Sequence, residues 1–352
     1  MMRIKNKILV VGPDMAESGG VATVMQHFAD QQANLTDFDI QLLVTWRQRW
    51  IWNFIKVVLR YRILLHRRNI DLVHIHVSER GSFWRAAIIT WLTPRRIPVI
   101  HHYHAAEFDV FYKSQGRLFK WIIRKTIDRA SQVIVLSQSW LTFFTALTKT
   151  DILIIHNGVP IPNEQLQVNE TSKKVVTFGR IGKRKGTYDL VRVAKQVHQL
   201  DANITFDVYG DGTTTDLENV QNQIKLAGMA EVIRLHDWVD DVYEPMQDAM
   251  LHFLPSYHEG LPMAILESMA YGLPNLATRI GGIPELIDGR SNGYLVDAGS
   301  IEQMTKLIYK YAQMGIDEKL ITSNLARQTI IEQYSLGKMF EQVTKLYERI
   351  LR

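Results

Sequence analysis

The sequence predicts an α/β protein of two doubly wound, parallel-sheet domains, and three observations carry that expectation. Short β-rich runs alternate with helical patterns along the whole chain, the pattern of parallel strands joined by crossover helices. The alternation breaks once, at Asn157-Gly158 and the polar, proline-punctuated stretch after it, and then restarts. The length of 352 residues suits about two domains, and a composition 46% hydrophobic and 22% charged can bury a core in each.

In the first half, 7–11 (KILVV), 39–44 (DIQLLV), 72–77 (LVHIHV), 98–102 (PVIHH), 132–136 (QVIVL) and 152–155 (ILII) read as strands. Amphipathic segments near 21–33, 50–67, 82–92, 115–130 and 138–148 supply the crossovers. The second half repeats the scheme with strands at 175–179, 204–210, 232–236, 251–255, 275–278 and 294–296. Helices are expected there at about 187–200, 215–227, 262–271 and 300–334. The domains are therefore expected at 1–157 and 174–334, with a linker near 157–173. The last stretch, SLGKMFEQVTKLYERILR, reads as an amphipathic helix with apolar Met339, Phe340, Val343, Leu346 and Ile350.

The chain has no cysteine, which excludes disulfides and thiolate metal sites. Its first apolar run, Ile8 to Val11, is too short for a signal-peptide core. No apolar stretch approaches the roughly 18 residues of a membrane span. The expected location is the cytoplasm or the inner face of a membrane.

The net charge of +5 hides an asymmetry, since residues 1–157 hold 21 Lys+Arg against 11 Asp+Glu and the remainder 20 against 25. Residues 46–68 carry seven Lys+Arg and no acid, with Trp46, Trp50 and Trp52 among them. A plain crossover helix would pack Val57, Val58, Ile63, Leu64 and Leu65 on the sheet and leave the basic side in water. The charge and the tryptophans also suit an anionic lipid surface, so peripheral membrane contact is expected. Nucleic acid is not, because no base-reading module is recognisable.

Ligands of such sheets bind beyond the carboxyl ends of strands. The stretch SYHEGLPMAILESMAYGLP (256–274) follows one, setting Glu259 just before a helix and Glu267 about two turns into it. Gly260 lets a ligand approach the backbone, Pro262 suits the first helical position, and the amides around Leu261 form an anion site. Carboxylates accepting sugar hydroxyls would fit beside phosphates held on those amides. An acidic loop residue and an exposed helical glutamate are the plainer alternative, and the stretch alone leaves both open.

TFGRIGKRKG (177–186) also follows a strand and offers Arg180 and Lys185, a fork and a point charge suited to a diphosphate. A solvated basic turn is its plain alternative. His74 and His76 share a strand face, and His101, His102 and His104 follow on the next strand. Five imidazoles can bind zinc, but no acidic partners or HExxH spacing accompany them. GDG (210–212) is not a dinucleotide fingerprint, because position 215 is threonine.

Taken together, Gly19-Gly20, Arg180 with Lys185, Ser256, the E-x7-E pair Glu259 and Glu267, and GGIPE (281–285) resemble glycosyltransferase family 4 over essentially the whole chain. The resemblance implies GT-B architecture: two Rossmann-like domains facing a cleft, the first binding acceptor and the second the nucleotide sugar. The final helix, about 335–352, would pack back on the first domain.

By the same resemblance Glu267 binds the nucleotide ribose, Glu259 contacts the donor sugar, and Arg180 and Lys185 hold the diphosphate. The backbone from Gly260 through Leu261 to Pro262 meets sugar and phosphate, and Gly20 ends a loop closing over the donor. Asp211 and the stretch 236–238 line the nucleotide pocket. His104 matches a donor-side histidine, but Ala105 stands where the family has glycine, which leaves His102 as the alternative. Asp37-Phe38-Asp39 formally matches the DxD of metal-dependent glycosyltransferases of another fold, and reads here as a turn.

The implied function is transfer of a sugar, with retention, from a nucleotide-diphosphate sugar to a lipid-linked or saccharide acceptor in cell-surface polysaccharide or glycolipid biosynthesis. A front-face mechanism with fixed cations on the leaving group would need no essential metal or other cofactor. A non-catalytic nucleotide-sugar-binding subunit is the alternative. Loss of either glutamate or the basic pair would favour it, and all four residues are present.

Overall fold

A computed structural model describes residues 5–33, 35, 37–46, 51–67 and 70–352. The chain divides into two units, Met1–Asn157 with Met339–Arg352, and Gly158–Lys338.

Unit 1 alternates strands and helices in chain order: β1 (Asn6–Pro13), α1 (Gly20–Asp30), β2 (Phe38–Trp46), α2 (Ile51–Arg67), β3 (Leu72–Val77), α3 (Gly81–Leu92) and β4 (Val99–Tyr103). There follow α4 (Phe108–Lys113), α5 (Arg117–Ile127), β5 (Gln132–Val135), α6 (Gln138–Thr145) and β6 (Ile152–Ile154). The strands form one sheet in the order β2-β1-β3-β4-β5-β6, with every pairing parallel. Every residue of β3, β4 and β5 is buried, as expected of strands covered on both faces.

Unit 2 contains β7 (Lys174–Phe178), α7 (Thr187–Leu200), β8 (Thr205–Tyr209), α8 (Thr214–Leu226), β9 (Ile233–His236), α9 (Tyr243–Met246) and β10 (Leu251–Leu254). It continues through α10 (Met263–Tyr271), β11 (Asn275–Thr278), α11 (Ile283–Leu286), β12 (Tyr294–Val296), α12 (Ile301–Ala312) and α13 (Ile316–Thr329). A π turn, Ile330–Tyr334, leads into the last helix, α14 (Leu336–Leu351). The sheet order β12-β11-β10-β7-β8-β9, again parallel, reverses direction between β7 and β10. In a doubly wound sheet that reversal opens the ligand crevice.

Four expectations need correction. The single helix over 300–334 is two helices, because Gly315 takes an extended N-cap conformation and Asp317 and Glu318 start a new first turn. The expected linker is woven into unit 2: Leu166 N donates to Tyr271 O at 2.8 Å, Arg327 to Pro162 O at 2.8 Å, and Lys319 to Glu170 O at 2.9 Å. Polar, proline-rich sequence there reflects a strap without regular structure. In α2, Val57, Leu64 and Leu65 pack on the core but Ile63 is exposed, lying with Ile55 and Leu59 on the opposite face. In α14 Ile350 is only half-buried, and Tyr347 joins Met339, Phe340, Val343 and Leu346 inside. The short helices α4, α9 and α11 carry too few turns to show a period. Arg47, Arg49, Trp50 and Arg68 lie outside the described residues, as do the side chains of Trp46, Trp52 and Arg67.

The residues of α14 from Met339 cover one face of the unit 1 sheet together with α1, and that face is unusual. His74 and His76 on β3 and His102 on β4 point into it, with His104 following the end of β4. Phe28 of α1 lies edge-on to His74 and His76, and Tyr347 Oη pairs with His74 Nδ1 at 2.6 Å. The imidazoles pair with each other, His74 Nε2 with His102 Nδ1 at 3.2 Å and His76 Nδ1 with His104 Nε2 at 2.8 Å. On the opposite face His101 Nε2 meets Thr90 Oγ1 at 2.7 Å.

Burial pushes His74, His101 and His104 down to about 3, and His76 and His102 also fall well below the ordinary imidazole range. The folded protein therefore keeps these rings neutral where the unfolded chain protonates them, from about pH 6.5 downward. Their contribution is complete above that pH and is lost as the pH falls toward 3. Denaturant unfolding of the wild type should show a midpoint that drops between pH 7.5 and 5, with more than one proton taken up per molecule unfolded. A midpoint that stays flat over this window contradicts the neutral cluster.

Candidate active site

The loops after β7 and β10 meet at the reversal point of the unit 2 sheet, and backbone geometry forces them together. Gly186, at φ 71°, closes the first loop so tightly that a Cβ there would lie 1.9 Å from Pro255 O in the second. Tyr257 N also donates to Arg184 O at 2.8 Å. A third loop, after β11, joins them. Gly281, at φ 53°, would place a Cβ 2.1 Å from Glu259 O, and Gly282 N donates to Gly260 O at 2.8 Å. Thr278 Oγ1 donates to Ser256 O at 2.6 Å.

At the centre of these contacts is the Glu259 carboxylate, which is buried. Lys185 Nζ donates to its Oε1 at 2.6 Å and Ser256 Oγ to the same oxygen at 2.7 Å. Arg184 stands 3.8 Å from Oε2 and donates to His258 O at 3.0 Å. A carboxylate withdrawn from water is costly without such partners, and a lysine, a hydroxyl and a nearby guanidinium offset that cost. Arg184 did not stand out in the sequence, although the run Lys183-Arg184-Lys185 held the cue. Arg180 is exposed on the same loop and forms no ion pair among the described residues.

Pro262 is the N-cap of α10, one position earlier than expected, and no side chain caps the helix. The first intrahelical bonds run from Ile265 N and Leu266 N to Pro262 O, which leaves the amides of Met263 and Ala264 directed out of the helix end. Gly260 and Leu261, both buried, lead into that end. Glu267 lies on the same helix, half-buried, and among the described residues nothing hydrogen-bonds its carboxylate. Burial pushes its pKa up to about 7. Its charge adds to the burial that raises the Tyr243 phenol.

Beside this cluster the carboxyl ends of β7, β8 and β9 carry a stack of rings. Tyr209 lies 4.3 Å from His236 at 10° and 5.3 Å from Phe178 at 18°. Asp207 fixes His236 through a 2.7 Å contact to Nε2. Asp211 is half-buried after β8, and its carbonyl accepts Ile181 N at 2.6 Å, tying this loop to the basic one.

Unit 1 holds the remaining candidates. Gly20 opens α1 directly after Gly19, beyond the end of β1. His102 is fully buried within β4, whereas His104 lies past the strand end, half-buried, its N–H donating to Val77 O at 2.8 Å. One ring nitrogen each from His74, His76 and His102 falls within 4.8 Å of the others, a spacing that can hold a metal ion. His74 pairs with His102 and His76 with His104, while among the described residues His76 Nε2 and His102 Nε2 meet no hydrogen-bond partner. The shifts of all three come from burial and from neighbouring imidazoles. Asp39 lies within β2 and accepts from Gln41 Nε2 at 3.3 Å, with Asp37 in the turn before it.

Comparison with known proteins places both units. Residues 18–161 match the family described as Glycosyltransferase Family 4, and residues 172–313 match Glycosyl transferases group 1. The chain is 25% identical over 301 residues to N-acetyl-alpha-D-glucosaminyl L-malate synthase of Bacillus anthracis, covering 81% of this chain and 76% of that protein. It is 25% identical over 306 residues to the UDP-Gal:alpha-D-GlcNAc-diphosphoundecaprenol alpha-1,3-galactosyltransferase of Escherichia coli, again with 81% and 76% covered. Among solved structures, sucrose-phosphate synthase from Thermosynechococcus elongatus superposes with a TM-score of 0.84 at 14% identity, over 98% of this chain and 99% of the other.

The close approach of the three loops makes Gly281 a sensitive position. Gly281→Ala is expected to lower the melting temperature well beyond Gly228→Ala, which has the same kind of positive φ but open space around it. The latter carries only the left-handed backbone penalty, about 1–2 kcal/mol. Equal melting losses in the two variants would show that the loops do not depend on this contact.

Proposed function

Because the chain belongs to glycosyltransferase family 4 and has the GT-B fold, we propose that it transfers a sugar with retention from a nucleotide-diphosphate sugar. The observation that carries this reading is the meeting, at the sheet reversal of unit 2, of a buried Glu259–Lys185 pair with the uncapped end of α10. Cations and free amides favour a diphosphate there, while the carboxylates of Glu259 and Glu267 accept hydroxyls.

In this scheme the bond between the sugar's anomeric carbon and the β-phosphate oxygen breaks as the acceptor hydroxyl attacks from the same face. Its proton passes to the departing phosphate. Arg180, Lys185 and the amides of Met263 and Ala264 take up the negative charge that grows on the diphosphate, so no metal ion is required. Lys185 is held in position by Glu259, whose remaining acceptor capacity faces the donor sugar. Glu267 receives the ribose hydroxyls, and Gly260, Leu261, Pro262 and Asp211 complete the substrate contacts. In unit 1 His104 and Gly20 take the family's donor-side roles, with His102 set aside because it is enclosed within the sheet.

The acceptor is proposed to be a lipid-linked or other saccharide of cell-surface polysaccharide or glycolipid synthesis, in keeping with the diphosphoundecaprenol substrate named for the E. coli relative. Among the described residues no helix is long and apolar enough to cross a membrane. Contact with a membrane is proposed to be peripheral, on its cytoplasmic face.

Two outcomes test this scheme. A Glu267 carboxyl raised to about 7 binds ribose hydroxyls in its ionised form, so donor affinity should strengthen as the pH rises from 6 to 8. Glu267→Gln should flatten that dependence in calorimetry and weaken binding at pH 8. An unchanged pH profile in the variant removes the ribose role.

Arg180→Ala and Lys185→Ala should each lower turnover by about a hundredfold while donor binding changes less, since the charge they meet grows in the transition state. Activity of the wild type should survive EDTA. Near-normal turnover in the double variant, or activity lost in EDTA and restored by manganese, contradicts the fixed-cation mechanism.

A further inference from the structure

Among the described residues unit 1 exposes nine large hydrophobic side chains, and all nine lie on α2, α3, α4 and α5. None lies on α1 or α14, the helices of the other sheet face. The core that α2, α3, α5 and α6 share, including Tyr61, Phe83, Ile123 and Trp140, places these helices in one layer. The apolar residues form that layer's outer surface.

Their arrangement is ordered. On α5, Ile123, Thr126 and Ile127 are buried while Leu118, Trp121 and Lys125 share the outward face, Leu118 with 66% and Trp121 with 58% of its surface in water. On α3, Trp84, Ile88 and Trp91 share one face, with Trp91 52% exposed. The two faces adjoin, because Trp91 Nε1 donates to Thr126 Oγ1 at 3.0 Å and Trp84 packs edge-on to Phe119 at 5.6 Å. The outward stripe of α2, Ile55, Leu59 and Ile63, is exposed in the same manner.

Charge identifies what covers this surface. Helix α5 carries Arg117, Lys120, Arg124 and Lys125 and no acidic residue, and described α2 side chains add Lys56, Arg60 and Arg62, again without an acid. Lys120 and Arg124 lie over the Tyr112 ring at 5.6 and 5.9 Å, which keeps cations beside the apolar faces. Exposed tryptophan and leucine fringed by cations of one sign match a sheet of anionic headgroups above acyl chains. A protein partner would need a matching acidic surface, whereas a bilayer supplies one everywhere.

We propose that the outer surface of α2, α3 and α5 is the face on which this enzyme rests on an anionic bilayer, with Leu118 and Trp121 entering the headgroup region. The proposal rests on the reading that the enzyme works at a membrane, and it names the surface.

Flotation of the full chain with phosphatidylglycerol or phosphatidylcholine vesicles tests it. The wild type should float with phosphatidylglycerol at low salt, less at high salt, and hardly with phosphatidylcholine. Arg117→Gln with Lys125→Gln should lower the partition about thirtyfold, from roughly 1 kcal/mol for each cation. Leu118→Ser with Trp121→Ser should abolish the salt-resistant fraction, and Lys345→Gln on α14 with Arg352→Gln just after it should float like the wild type. Melting curves show whether each variant remains folded, which exposed positions favour. If the wild type floats and both α5 variants float equally well, the proposed surface is wrong while the membrane reading stands. If the wild type floats with neither vesicle, both fall, and a dimer in sedimentation would assign the face to a second copy.

Discussion

The Glu259 carboxylate is the constraint on which the unit 2 site depends. It sits out of water, so it must be matched, and its partners come from separate places in the chain. Lys185 and Arg184 arrive on the loop after β7, while Ser256 precedes it on the loop after β10. Removing one partner from such a buried group leaves the other charge uncompensated, which makes the arrangement cooperative. The glycines at 186 and 281 serve the same end, since a Cβ at either would collide with the backbone of the loop after β10, at Pro255 O and at Glu259 O. Local stability and the proposed positioning of the donor's contacts thus rest on the same interactions.

Much of this architecture was legible in the sequence. Twelve short apolar runs separated by amphipathic segments left little room for another fold class, because parallel strands covered on both faces must be apolar throughout. The glutamate pair and the basic loop could be placed after strands because punctuation by glycine and proline is local. What remained hidden was tertiary. That Lys185 bonds Glu259, or that Arg184 stands beside it, depends on two loops 74 residues apart meeting across a sheet reversal. The strap 158–173 looked like a linker because its partners, among them Arg327 and Tyr271, lie far along the chain.

Unit 1 shows the same limit in another form. Sequence spacing put His74 and His76 on one face, but a ligand cluster and a polar core have the same spacing. Packing adds what spacing cannot show. Tyr347 from the far end of the chain and Phe28 from α1 close over the rings, and the resulting burial holds them neutral. The other face of that sheet bears helices whose outer stripes are apolar and basic, a distribution that could not be inferred from α5 alone because its buried and exposed faces both contain large side chains.

The donor is proposed to bind where the loops after β7 and β10 converge on Glu259 and the start of α10. Hydrogen exchange of the wild type with UDP, GDP and ADP tests this most directly, because it reports protection along the backbone without altering any residue. With the nucleotide that binds, exchange should slow in 179–187 and 255–267 and stay unchanged in β12 and α12. Protection confined to other segments, or none with any of the three, would contradict the account.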